Sequence, residues 1–139
     1  MGYPEQLKEY FSDGGTLGAL AKVSHPDIEN MYAHAYELLE AGNGFQAGAM
    51  FTALTWLDHH EGEYWLGLSM ARQLIGQHTK ALASLSSALR CLGPDKPFDT
   101  RALRLMSSSL TILGKDDMAG RAAELATQME SLEVSVSAA

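Results

Sequence analysis

At 139 residues the chain fits one domain, and an apolar content of 46% belongs to a folded protein rather than a disordered one. Its net charge of −7 argues against a nucleic-acid footprint and against binding to an acidic membrane surface. The single cysteine, Cys91, can form no internal disulfide, which suits a reducing compartment. Residues 1–20 lack a basic region followed by an apolar run, so no signal peptide is expected. Gly2 is followed by Gln6 where myristoylation would want Ser or Thr. The longest uncharged run, 41–57, is glycine-rich and short for a spanning helix, so a soluble, cytosolic protein is expected.

The first predicted helix covers residues 3–11, with Leu7, Tyr10 and Phe11 on one side. Asp13-Gly14-Gly15 ends it, because paired glycines permit the turn. Thr16 caps a second short helix, 17–23, with Leu17, Leu20 and Ala21 on its inner face. Ser24 offers a capping box with Asp27, and Pro26 sits in the first turn, where its missing N–H costs little. Helix 27–41 follows and stops at Gly42. Its partner, 45–59, carries Ala47, Met50, Phe51, Leu54 and Leu57 at helical spacing. Asp58-His59-His60 closes this pair. Helices 61–75 and 78–92 form a second pair, and 97–113 with 115–133 a third, after a 93–98 connection in which Pro94 and Pro97 break any helix. Residues 134–139 are expected to form a flexible tail. No strand pattern emerges, and the expected fold class is all-α.

The first two pairs are one unit written twice. Gly42 and Gly76, Ala47 and Ala81, Phe51 and Leu85, and Leu54 and Ala88 all share the same spacing. A helix, a glycine turn and a second helix with small residues on one face, with a period of about 34 residues, is the signature of the tetratricopeptide (TPR) repeat. Trp65 and Leu68 meet two of the four opening consensus positions. Ala47 and Phe51 meet the A-x3-F pattern, and Ala81 and Leu85 approximate it. The small residues give close-packed helices a groove free of bulk. The closing proline is missing: His59 stands there in the first copy and Gly93 in the second. Gly114 and Ala119 mark a third copy, at a slightly longer interval from Gly76 and Ala81. The reading is therefore a single TPR solenoid domain, 1–133, with N-terminal helices in 3–26 and repeats at 27–60, 61–94 and 97–133.

The first helix of each repeat lines the concave surface of a TPR solenoid, and such surfaces bind extended ligands. Glu29, Tyr32, Tyr36 and Leu39 are expected there from the first copy, and Glu63, Leu66, Met70 and Gln73, each one period on, from the second. Tyrosine supplies contact area with few rotors to freeze, and methionine adapts to irregular partners. The competing expectation is that Tyr32, Tyr36, Leu66 and Met70 are core residues covered by the N-terminal helices.

Catalytic and metal chemistry find little support. His59 and His60 are adjacent, so on a helix they would point about 100° apart. No H-E-x-x-H, paired cysteine or Asp-rich loop is present, so no metal is expected. His59 is expected at a helix C-terminus, where partial positive charge is favoured. Cys91 stands near a helix C-terminus, where the dipole raises a thiol pKa, and reads as a small core residue rather than a nucleophile. Gly42-x-Gly44 follows a helix rather than a strand, which does not support a phosphate loop. The expectation is a binding protein without cofactor, not an enzyme.

Several departures from the generic repeat are shared with one family. Gly14-Gly15-Thr16, Leu57-Asp58-His59, and the run Leu66-Gly67-Leu68, Arg72-Gln73 and Gly76-Gln77 resemble the SycD/LcrH class of type III secretion chaperones, over roughly residues 5–126. The third repeat matches only around Gly114 and Ala119, and several family members carry a longer C-terminal segment. The resemblance implies a cytoplasmic protein of a Gram-negative bacterium that keeps a hydrophobic translocator soluble before export, taking an extended client segment into the concave groove. Carried over by position, Tyr32, Tyr36, Leu39, Leu66 and Met70 would form its pockets. It also implies self-association through the N-terminal helices, here Leu7, Tyr10, Phe11 and Leu17. Two alternatives stay open: a chaperone for a secreted effector, and an adaptor whose groove holds a permanent partner subunit.

Overall fold

The computed structural model describes residues 5–95 and 98–138. The expected start of the first helix at residues 3 and 4, the helix-breaking role of Pro97, and residue 139 lie outside the described residues. The order is α1 (Glu5–Ser12), α2 (Leu17–Leu20), α3 (His25–Glu40), α4 (Gly44–Leu57), α5 (Gly62–Leu74), α6 (His78–Arg90), α7 (Thr100–Ile112) and α8 (Asp116–Ala138). No strand occurs among the described residues. The fold is an all-α, TPR-like stack of helix pairs in which each helix from α3 to α7 packs on the next.

One turn recurs in each of the three pairs. Gly42, Gly76 and Gly114 have φ of 80°, 76° and 75°. The following N–H reaches back to close the helix end: Asn43 donates to the Leu38 carbonyl at 2.9 Å, Gln77 to Arg72 at 2.8 Å, and Lys115 to Leu110 at 2.9 Å. This left-handed cap strains a residue bearing a Cβ by about 1–2 kcal/mol, so glycine holds the position. The spacing legible in the sequence is thus the spacing of a single hydrogen-bonded turn. The longer third interval lies in the connection before α7, which opens on Asp99; its carboxylate accepts the Arg101 N–H at 2.9 Å.

The core follows the small residues. Ala35, Ala47, Phe51, Leu54, Leu68 and Ala71 close one cluster between α3, α4 and α5. Leu66, Leu85 and Ala102 close a second between α5, α6 and α7. Ser24 caps α3 as expected, its hydroxyl accepting from the Asp27 N–H at 3.2 Å, with Pro26 in the first turn.

The N-terminus departs from expectation. The second helix is four residues long, not seven. It is closed by Lys22 at φ 58°, a left-handed position held without glycine, with the Val23 N–H donating to the Gly18 carbonyl at 2.9 Å. Of its residues only Gly18 is buried, because α2 approaches α4 so closely that a Cβ there would lie 2.8 Å from the Leu57 carbonyl oxygen. Leu17, Leu20 and Ala21 are consequently exposed rather than turned inward. At the other end, α8 continues as helix through residues 134–138, past the expected boundary at Glu133.

Candidate functional site

The first helices of the three pairs, α3, α5 and α7, adjoin one another, with α5 touching both neighbours. Between them lies a cavity of about 400 Å³ lined by Leu39, Met70, Gln73, Leu74, His78, Ser108 and Ile112. Its walls are mainly apolar, with a polar edge held in place by hydrogen bonds. Gln73 Nε2 donates to the Leu105 carbonyl and to Ser109 Oγ, both at 2.8 Å, and His78 Nδ1 lies 3.1 Å from the same hydroxyl. A fixed polar edge beside flexible Met and Leu side chains can orient a chain while accepting varied apolar groups.

Of the eight residues expected on the concave surface, Leu39, Met70 and Gln73 meet in this cavity. Tyr32 and Tyr36 stand further along α3, half-buried, with ring centroids 5.0 Å apart. Both rings also lean edge-on against Phe51, and Tyr32 adjoins Tyr64 with centroids 5.4 Å apart. Burial first, then the neighbouring Tyr36, pushes the Tyr32 phenol well above its ordinary range; burial and Glu61 raise that of Tyr64. Both stay neutral donors at physiological pH. Neither tyrosine on α3 is covered by the N-terminal helices, because α2 packs on α4 and α1 on no other helix among the described residues.

Leu66 is a correction. It is 2% exposed and packs against Leu85 and Ala102, so α6 and α7 close over the side of α5 that carries it. Counting one repeat period on from Tyr32 places it at the equivalent position, but α3 has no preceding repeat and α5 has neighbours on both sides. Leu74, His78, Ser108 and Ile112 were missed. Leu74 and Ile112 sit near the ends of α5 and α7, and His78 opens a second helix, so a reading confined to the middle of the first helices passes over them.

The expected self-association residues do not form one apolar face. Leu7 and Tyr10 are half-buried, whereas Phe11 and Leu17 are exposed. Tyr10 lies over Gly15 and its hydroxyl donates to the Thr16 carbonyl at 2.8 Å, so it fastens the turn after α1. The two adjacent histidines fall in the turn after α4 rather than on it, which corrects the helical argument: their rings adjoin, tilted by 41°, with centroids 4.0 Å apart. His60 Nε2 lies 3.1 Å from the Gly14 carbonyl, and the His59 carbonyl accepts from Trp65 Nε1 at 3.0 Å. Burial, then Glu61 and Asp58, raises the Cys91 thiol. No cluster of three metal-ligating side chains occurs among the described residues. No helix there is long and apolar enough to cross a membrane.

No family model matches the chain. A curated relative, the low calcium response locus protein H of Yersinia pestis, is 32% identical over 84 residues, which is 60% of this chain and 50% of the relative. The type III secretion translocator chaperone SycD of Yersinia enterocolitica superposes with a TM-score of 0.74 at 29% identity, over 83% of each chain. PcrH of Pseudomonas aeruginosa, solved in complex with the chaperone binding region of PopB, superposes with a TM-score of 0.72 at 27% identity, over 79% of this chain and 86% of its own. In sequence and in fold the chain is similar to the SycD/LcrH-like type III secretion chaperones. It spans about half the length of the curated relatives it matches.

The residues that carry the SycD/LcrH resemblance hold the stack together. Arg72 Nη1 donates to the Lys80 carbonyl at 3.0 Å and to the Ser84 hydroxyl, tying α5 to α6. Gln73 ties α5 to α7, as above. Asp58 Oδ1 accepts from the His60 N–H at 3.1 Å and shapes the turn that meets Gly14. The signature residues therefore build the frame around the cavity and supply one residue, Gln73, to its wall.

Proposed function

We propose that this chain is a type III secretion chaperone that keeps a hydrophobic translocator protein soluble before export, binding an extended segment of it across α3, α5 and α7. The observation that carries the reading is the apolar cavity joining Leu39, Met70, Leu74 and Ile112, in a chain similar to PcrH, whose structure holds the chaperone binding region of PopB. An apolar groove shields a membrane-seeking segment, and a net charge of −7 keeps the complex in solution. On this reading the protein is not an enzyme, uses no cofactor or metal, and works in the cytoplasm of a Gram-negative bacterium. Tyr32, Tyr36, Leu39, Met70 and Gln73 form the client groove together with His78, Ser108 and Ile112.

The test is capture of the tagged protein from its own cells, with bound proteins identified by mass spectrometry. A protein with long apolar segments, lost from the Ile112→Glu variant, supports the translocator reading. A secreted client without such segments points to an effector. Soluble cytosolic subunits in fixed ratio point to an adaptor instead.

A further inference from the structure

Hydrogen bonding along the polar edge of the cavity runs in one direction. A backbone carbonyl only accepts, so the Gln73 atom 2.8 Å from the Leu105 carbonyl is the amide nitrogen. The second hydrogen of that nitrogen goes to Ser109 Oγ, also at 2.8 Å. Both Gln73 donors are then used, and Oε1 is left over. Ser109 is fully buried and already accepts from Gln73, so its single proton needs an acceptor. Nearby hydroxyls on α7 turn back to the carbonyl four residues earlier, Ser108 to Arg104 and Thr111 to Ser107. Among the described residues Ser109 makes no such bond, and its other partner is His78 Nδ1 at 3.1 Å. Ser109 Oγ–H therefore donates to Nδ1. This fixes the neutral imidazole as the tautomer protonated at Nε2.

The network thus leaves one acceptor, Gln73 Oε1, and one donor, His78 Nε2–H. Neither has a partner among the described residues, and no buried side-chain nitrogen or oxygen there lacks one, so both atoms are open. Their residues line the same cavity as Leu39, Met70, Leu74 and Ile112. They are neighbours, because Gln73 and His78 meet at the one Ser109 oxygen. A carboxylate has no hydrogen to give Oε1, and an ammonium has no lone pair for Nε2–H. A neutral group with both functions fits the pair. An extended main chain is such a group: the N–H and C=O of one residue leave on the same side and bond a neighbour together, as in an antiparallel ladder.

We propose that Gln73 and His78 form a main-chain clamp, which holds one residue of the client extended with its N–H on Gln73 Oε1 and its C=O on His78 Nε2–H, while apolar side chains of the segment fill the cavity. The clamp rests on the reading of this cavity as the client groove, and adds how the client is held there. Main-chain bonds fix the position and direction of the segment, and the apolar wall alone selects its side chains. The clamped residue cannot be proline, which has no N–H. Ser109 is a positioning residue: it is buried out of the client's reach, but its hydroxyl decides which nitrogen of the imidazole carries the proton.

The test is a nitrogen-15 NMR titration of the full chain with N-acetyl-leucine N-methylamide, a single residue carrying both flanking peptide units. At about pH 8, where imidazole is neutral, the His78 ring spectrum should show the proton on Nε2. Ser109→Ala should mix the two tautomers with circular dichroism unchanged. The diamide should shift the His78 ring and Gln73 side-chain signals. Its analogue with an ester oxygen in place of the leucine N–H should bind about three- to tenfold more weakly, through the loss of one hydrogen bond. That difference should vanish in Gln73→Met. His78→Ala leaves the bonds from Gln73 to α7 in place and should weaken both probes alike. A proton on Nδ1 overturns the proposal, as does equal binding of the two probes or no binding of the diamide. Because no client enters the measurement, the clamp can fail while a translocator is still captured, and can stand where the captured partner is an effector or a subunit.

Discussion

The Phe51 ring occupies the space that a side chain at position 67 would need: a Cβ built on Gly67 overlaps Cε1, Cζ and Cδ1 of that ring. Phe51 is the aromatic of the A-x3-F pattern in the first repeat, and Gly67 belongs to the Leu66-Gly67-Leu68 run of the second. The two are one packing solution, in which a fully buried ring presses onto a bare helix backbone.

Gly67→Ala should therefore destabilise the fold although alanine is the better helix former. The ring cannot retreat, because Tyr32 and Tyr36 lean against it. Overpacking of this kind costs about 1–3 kcal/mol, against about 1 kcal/mol gained from propensity. Urea denaturation should show a lower midpoint with an unchanged slope. An equal or higher midpoint would show that the ring has room to move.

Groove and core should separate in a pair of variants. Ile112 is 64% exposed and lines the cavity, so Ile112→Glu should abolish client binding while helicity is kept. Leu66 is enclosed by α6 and α7, and Leu66→Glu buries a charge that nothing there pairs, so it should unfold the chain. Circular dichroism and client pull-down on both decide it. Client binding unaffected by Ile112→Glu would remove the cavity from the groove.

Asp99 links acid stability to the join between the second and third repeats. Burial alone would raise its carboxyl, but hydrogen bonds from the Arg101 side chain and backbone outweigh this and hold it below the usual range. Arg101 also grips Glu63 on α5. A depressed carboxyl stabilises the fold above its unfolded pKa, roughly pH 4, and that stability is lost as pH falls through the folded value. Asp99→Asn, which keeps a capping oxygen, should flatten this acid limb in urea midpoints measured against pH. Asp99→Ala should also lose about 1 kcal/mol at neutral pH through the missing cap.

Cys91 should be a slow nucleophile. Burial, then Glu61 and Asp58, raises its thiol, and Sγ–H donates to the His59 carbonyl at 3.5 Å. Alkylation at mildly alkaline pH should run more slowly in the folded chain than in urea. Because burial is the larger cause, Glu61→Gln should recover only a minor part of the difference. Folded and unfolded chains reacting alike would show a freely accessible thiolate.

The sequence by itself determined the all-α class, the three helix pairs and the glycine that turns each of them. Those features are local: a left-handed cap favours glycine, although Lys22 closes α2 without it, and Ser24 caps its own helix. It also carried the chaperone resemblance, because of its departures from consensus Gly67 and Gln73 join neighbouring repeats and Arg72 ties together the two helices of its own. Tertiary structure alone decided which of the expected groove residues are open. Tyr32 and Leu66 occupy equivalent places in their repeats, but only α5 is flanked on both sides, so Leu66 is enclosed and Tyr32 is not. Tertiary structure also brought Ile112 and His78 to the cavity from helix ends. Exposure is set by which helices stand alongside, and a repeat period records none of that.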